Sequence, residues 1–276
     1  MNVWISVDME GISGIVDRDQ LLPQGQRYSQ AVHYLMQDIT TVIGAVQEDP
    51  AVTGIVVNDS HDGMLNVLWS SMPQGVTLIS GGGKPWSMVQ GVDQADVAFF
   101  VGYHAMAGTP QAVMDHTYSG EIFQVRLNGV EVGETGLNAA VAGHYQVPVG
   151  FVSGDDKVCA EASQLLPWVT AVSVKTATNR RAAHLLSGLE SAMALRQGVH
   201  DALAKWHSGR LSPFIPDTPV TLEVTVMTTD MADRATYCPG TQRTGGRTVQ
   251  YTSHSMLEVY RAFYTIMALA AGRPLY

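Results

Sequence analysis

Only two cysteines, Cys159 and Cys238, occur in 276 residues, and they stand far apart without the short spacing of a thiolate metal site. Ordinary reduced thiols are expected rather than a disulfide framework or a cysteine-based zinc site. Basic residues are also scarce, with 16 Lys and Arg against 25 Asp and Glu and a formal charge of −9. No Lys/Arg run makes a local exception, so the positive surface that a polyanion needs is missing and nucleic acid is not an expected partner. Long apolar runs are lacking too: each is interrupted well before the roughly 20 residues a helix needs to cross a bilayer. The N-terminus, Met1-Asn2-Val3-Trp4-Ile5-Ser6-Val7-Asp8, has neither the basic start nor the apolar stretch of a secretory signal. No membrane partner and a cytoplasmic location are the expectation.

What the chain does have is apolar residues, 46% of its length, enough for a large core. Val3 to Val7, Gly54 to Val57, Val97 to Val101 and Val147 to Val152 read as strands buried on both faces of a parallel sheet. Tyr28 to Val46 carries Val32, Leu35, Met36, Ile39, Val42, Ile43 and Val46 on one broad helical face. Strands alternating with helices signal βαβ construction, hence an α/β fold with a mostly parallel sheet flanked by helices. Further along, Asn128-Gly129 marks a hairpin within Phe123 to Val132, a helix starts near Gly136, and Asp155-Asp156 suits the N-terminus of another before a strand at Val169 to Val174. From about Ser187 the rhythm changes: a long helix capped by Ser187 runs toward Trp206, Ser212 to Pro219 reads as a connector, Val220 to Met227 and Val249 to Thr252 as strands, and Ser255 to Ala270 as an apolar helix. A larger α/β domain over 1–186 and a second, smaller α/β domain over 187–276 are expected.

The chemistry gathers where the apolar runs end. Side chains alternate along a strand, so Ser6, Asp8 and Glu10 point the same way at the end of the first one. Two carboxylates there are costly unless something positive joins them, although taken alone they read first as two solvated acids in a loop. The second buried strand ends in Asn58-Asp59-Ser60-His61 and the third in Gly102-Tyr103-His104. Ligand sites in open α/β sheets lie outside the carboxyl ends of the strands, so these ends can converge on one crevice. Glu134, in Gly133-Glu134-Thr135-Gly136, is a further acid that can reach such a site or simply cap a helix. Two imidazoles and three carboxylates exceed the roughly three protein ligands of one catalytic zinc, and suit two metals sharing a carboxylate. His116, in the polar stretch Asp115-His116-Thr117, is open to three readings: a further ligand, a proton shuttle or a loop histidine. The remaining histidines are expected to face solvent. Gly81-Gly82-Gly83-Lys84-Pro85 fails the phosphate-loop pattern because Pro85 stands where a hydroxyl is needed, and it reads as a turn.

These segments carry a resemblance. Ser6-Val7-Asp8-Met9-Glu10-Gly11-Ile12-Ser13-Gly14, Asn58-Asp59-Ser60-His61, Gly102-Tyr103-His104-Ala105 and Gly129-Val130-Glu131-Val132-Gly133-Glu134-Thr135-Gly136-Leu137-Asn138-Ala139 resemble the motifs of the zinc-dependent D-aminopeptidases encoded with bacterial dipeptide-transport systems. The matching motifs end near Ala139. The resemblance implies two zinc ions per subunit held by Asp8, Glu10, His61, His104 and Glu134, with Asp8 as the bridge, and it aligns His116 with the family's catalytic histidine. It also implies a homodecamer of stacked rings, in which the apolar C-terminal helix would suit a subunit contact. The expected function is hydrolysis of the N-terminal residue, a D-amino acid by resemblance, from short peptides or amino-acid amides. The rivals are a two-metal phosphoesterase or amidase and a metal-dependent peptide-binding component of a transport system. The lack of Arg near the motifs counts against phosphate.

Overall fold

Alternation along the first apolar run divides its side chains between two cores: Val3, Ile5 and Val7 pack on one side and Trp4 on the other. The computed structural model describes residues 1–272. In chain order its elements are β1 (Asn2–Val7), α1 (Tyr28–Gln47), β2 (Gly54–Asp59), β3 (Val76–Ile79), β4 (Val97–Tyr103), β5 (Ile122–Leu127), β6 (Val130–Glu131), α2 (Glu134–His144), β7 (Val149–Asp155), α3 (Asp156–Leu165), β8 (Thr170–Asn179), β9 (Ala182–Leu185), α4 (Gly188–His207), β10 (Val220–Val226), α5 (Thr229–Ala235), β11 (Gln242–Arg243), β12 (Thr248–Ser253) and α6 (Met256–Ala271).

A seven-stranded sheet runs β3-β2-β1-β4-β7-β8-β9, parallel except for β9, which returns antiparallel to β8. Leu35, Ile39 and Val42 of α1 and Leu195, Val199 and Ala202 of α4 cover one face. The other face carries α2, α6 and a second, five-stranded antiparallel sheet, β11-β12-β10-β5-β6. The chain winds from β1 outward to β2 and β3, then crosses to β4 and outward to β7, so the order reverses between β1 and β4. In a doubly wound sheet that reversal opens a crevice at the carboxyl ends of the two strands, where a ligand can sit.

The closeness of those two ends explains two glycines. Gly11 N donates to Gly102 O at 2.7 Å, and Asp8 N donates to Val101 O at 2.9 Å. A Cβ on Gly11 would lie 1.9 Å from Tyr103 O, and one on Gly102, whose φ is +72°, would lie 2.3 Å from Asp8 O. Neither position admits a side chain, and Gly102 also needs the left-handed conformation that glycine tolerates.

The expected elements form, with shifts that have physical causes. Ser187 caps α4 in a reciprocal box with Glu190, and the Asp155 carboxylate accepts from Lys157 N and Val158 N at the start of α3. Asn128 and Gly129 both take positive φ, as a two-residue hairpin turn requires. The α2 helix begins at Glu134, two residues before the expected Gly136. The β7 strand begins at Val149 rather than Val147, and β8 continues to Asn179 before turning back as β9, a return that short apolar runs do not announce. The hairpin strand β5 joins β10, with Val125 opposite Val224, so the second sheet draws on both parts of the chain. A cut after residue 186 would separate β5 from β10 and α4 from α1 and β8. The apolar face of α6, with Val259, Tyr260, Phe263 and Ile266, packs inside its own chain and so is not a free subunit contact.

Replacing Gly102 by Ala should lower stability by at least about 2 kcal/mol, because it adds a left-handed strain of about 1–2 kcal/mol to a backbone clash. Chemical denaturation of the variant at the midpoint of the parent would show that the ends of β1 and β4 do not need this approach.

Candidate metal centre

The three strand ends and the start of α2 deliver Asp8, Glu10, His61, His104 and Glu134 to one buried cluster, each no more than 6% exposed. Asp8 stands at its centre. Its Oδ1 lies 3.2 Å from His61 Nδ1, and its Oδ2 lies 3.5 Å from His104 Nε2. Glu10 Oε2 is 3.0 Å from the same His61 nitrogen, and Glu134 Oε1 is 3.3 Å from the same His104 nitrogen. Three sets of three donors result, Asp8 with Glu10 and His61, Asp8 with His104 and Glu134, and Glu10 with His104 and His116, each compact enough to hold a metal ion; the first two share Asp8.

The backbone fixes which imidazole nitrogens face inward. Carbonyl oxygens can only accept, so the Leu21 carbonyl 3.2 Å from His61 Nε2 leaves Nδ1 as the inward lone pair. The Ala105 carbonyl 3.0 Å from His104 Nδ1 does the same for His104 Nε2. An imidazole whose far N–H is held by a carbonyl is the usual arrangement of a metal-ligating histidine. Buried Glu10 Oε2 and His104 Nε2 make no hydrogen bond among the described residues, which fits a cation and leaves them costly without one.

Electrostatics point the same way. Burial, and after it the charge of Glu10, push Asp8 up to about 8. Burial opposes ionisation of Glu10 as well, but His61 and His104 outweigh it and hold Glu10 well below the usual carboxylate range. Against their own burial, His61 is held well above an ordinary histidine by Glu10 and Asp8, and His104 by Glu134 and Asp8. Asp8 is thus the one carboxylate that tends to keep a proton, while Glu10 and Glu134 stay charged beside His61 and His104, and a divalent ion would take the place of the protons these groups share.

His116 closes the remaining side. Its ring stacks on His104 with centroids 4.0 Å apart, and its Nε2 lies 3.8 Å from Glu134 Oε1 and 4.0 Å from Glu10 Oε1. Its side chain is 24% exposed, so it is the cluster member that meets solvent. The Met114 carbonyl, 2.9 Å away, accepts from Nδ1 and leaves Nε2 free to exchange a proton. Burial and the neighbouring His104 hold His116 below an ordinary histidine. Among the other histidines, His33, His144, His184, His207 and His254 are exposed, whereas His200 is half-buried beside Glu48.

Several supporting residues carry no signal that a strand-end reading detects. Lys175 is fully buried in β8 and donates from Nζ to the carbonyls of Glu10, Ile12 and Ile15, bracing the segment after Asp8; burial brings it down to about 8. Asp38, on the otherwise apolar face of α1, accepts from Ser13 N at 2.8 Å in the same segment. Lys84 of the glycine-rich turn donates to Asn58 Oδ1 at 2.7 Å and to the Asp59 carbonyl, supporting the end of β2. Asp59 itself turns away and accepts from Asn66 N and Val67 N. For Lys175 and Asp38, interruption of an apolar pattern is the only trace left in the sequence.

A family model described as D-aminopeptidase matches residues 1–265. A D-aminopeptidase of Bacillus subtilis (strain 168) is 38% identical over 275 residues, 98% of either chain. Among solved structures, a zinc-dependent D-aminopeptidase from Bacillus subtilis, described as a self-compartmentalizing protease, superposes with a TM-score of 0.94 at 36% identity over 98% of each chain.

Exchanging Glu134 for Gln separates a ligand from a helix-terminal acid. The amide oxygen can still accept from Tyr118 N, which donates to Glu134 Oε1 at 2.6 Å, but a neutral amide is a poorer ligand. The variant should fold normally and lose about one ion per chain to dialysis that leaves the parent loaded. Retention of full metal content would mark Glu134 as a capping acid.

Proposed function

This chain belongs to the D-aminopeptidase family, and from that membership we propose that it is a zinc-dependent aminopeptidase removing an N-terminal D-residue from short peptides and amino-acid amides. Asp8, Glu10, His61, His104 and Glu134 would hold two zinc ions, with Asp8 shared between them. The observation that carries this reading is the placement of the two Asp8 oxygens, each turned to a different histidine and each joined there by a second carboxylate. When bound, a zinc pair supplies Lewis acidity toward the scissile carbonyl and lowers the pKa of water.

The chain's own groups do the rest. The carboxylates of Asp8, Glu10 and Glu134 would be committed to the ions they hold, and the segments that carry them bring no Arg of the kind phosphate sites recruit, which favours a peptide over a phosphate substrate. His116 is neutral near pH 7 because burial and His104 disfavour its charged form, so Nε2 can accept the proton of the attacking water. The Met114 carbonyl keeps that nitrogen turned to the site, from which it returns the proton to the leaving amine. A general acid/base role for His116 fits this geometry better than nucleophilic attack by the imidazole.

The protein would work as a homo-oligomer in the cytoplasm, a decamer by the resemblance. Supporting this, the related enzyme of known structure is described as self-compartmentalizing. Leu65, Trp69, Leu189 and Met193 also leave large apolar side chains 63–80% exposed on this chain, surface that subunit contacts would cover. No helix among the described residues is long and apolar enough to cross a membrane.

His116→Ala should lower kcat by about two to four orders of magnitude while both ions remain, since an acid/base group acts on protons. Loss of an ion in that variant would move His116 to the ligand set. The direct test of the function compares D- and L-alanyl amides, D-Ala-D-Ala, its N-acetylated form and a phosphate ester. Cleavage of the D-configured free amines and loss of cleavage on acetylation are expected, because the acyl group removes the amine's lone pair and adds bulk. Equal cleavage of the acetylated substrate, or turnover of the ester alone, would overturn the aminopeptidase reading.

A further inference from the structure

The loop between β4 and β5 delivers His116, yet its backbone is not one that its residues adopt freely. Gln111, Met114 and Tyr118 all sit at positive φ, at 54°, 49° and 61°, a region unfavourable for side chains of this size and held only where surroundings impose it. The two residues before His116 are gripped from outside the loop by a single residue, Arg180, in the turn between β8 and β9. Its Nε donates to Asp115 Oδ1 at 2.8 Å, its Nη2 donates to the Asp115 carbonyl at 2.7 Å, and its own carbonyl accepts from Met114 N at 3.0 Å. Asp115 Oδ2 in turn accepts from Gly108 N at 2.8 Å, tying the beginning of the loop to its end. Met114 is the residue whose carbonyl orients His116 Nδ1.

We propose that Arg180, acting through Asp115, is a positioning residue that holds the His116 ring against His104 with Nε2 turned to the metal cluster. Arg180 is 61% exposed and does not touch the cluster. An exposed ion pair contributes little to global stability; the function of this one is local. It removes the loop's freedom to relax its strained residues, and a displacement of about 1 Å at a proton-transferring group can cost as much as a hundredfold in rate. Lysine would keep one charge but not the planar pair of donors that reaches the carboxylate and the main-chain carbonyl together.

The proposal rests on the acid/base reading of His116, and the experiment separates the two. Arg180→Met and Arg180→Lys are compared with the parent and with His116→Ala by steady-state kinetics on a D-alanyl amide, by elemental analysis, and by hydrogen exchange of peptides spanning residues 106–118. In Arg180→Met, kcat should fall on the order of tenfold with KM and zinc content unchanged, and exchange should quicken in 106–118 while remaining as in the parent elsewhere. Arg180→Lys should lie between the two. Unchanged kcat in Arg180→Met, a loss of turnover without faster exchange in the loop, or a loss that follows zinc would overturn the proposal. Full turnover in His116→Ala would instead defeat the acid/base reading, and the exchange comparison alone would then decide whether Arg180 holds the loop.

Discussion

The structure depends on a carboxylate withdrawn almost entirely from bulk water. Asp8, 3% exposed, sits where β1 ends beside β4 and faces a histidine on either side. Burying such a group without compensation is strongly unfavourable, and adding Glu10 and Glu134 deepens the cost until positive charge is supplied. Much of the surrounding architecture answers this one constraint. The strand order reverses at β1 and β4, the glycines Gly11 and Gly102 let the two chain segments touch, and the ring nitrogens of His61 and His104 are turned inward by main-chain carbonyls.

A second ring of interactions keeps those groups in place. The segment carrying Glu10 is held by Lys175 and Asp38, the end of β2 by Lys84, and Glu134 by Tyr118 N. Beneath the cluster, the hydroxyls of Ser6 and Tyr103 are hydrogen-bonded at 2.8 Å, Asn138 donates to Tyr103, and the Tyr118 hydroxyl joins Asn138 and Tyr260. This chain of buried polar contacts connects β1, β4 and α2 to α6, so the antiparallel layer with α6 supports the site from below. Networks that are satisfied in this way rigidify a core, which suits a centre whose donors must stay within fractions of an ångström of one another.

What could be read from the sequence follows from how far apart the interacting residues lie. Asp8, Glu10, His61 and His104 stand directly after apolar runs, so their convergence follows from strand placement and the rule for open sheets. Glu134 was visible as an acid among glycines but not as the first residue of α2. His116 had no periodic context, and its closeness to His104 comes from a loop shaped by positive-φ residues and by Arg180, 64 positions further along. The pairing of β5 with β10 was hidden for the same reason: alternation identifies a strand but not its partner. Lys175 and Asp38 look like defects in apolar patterns until the carbonyls and amide they serve are in view.

The central claim is that Asp8 joins two metal positions. Anomalous diffraction at the zinc edge, on crystals of zinc-loaded protein, tests it most directly. The account predicts two peaks roughly 3.5–4 Å apart, one beside His61 and Glu10 and the other beside His104 and Glu134, with Asp8 between them. A single peak, or two peaks of which only one touches Asp8, would contradict it.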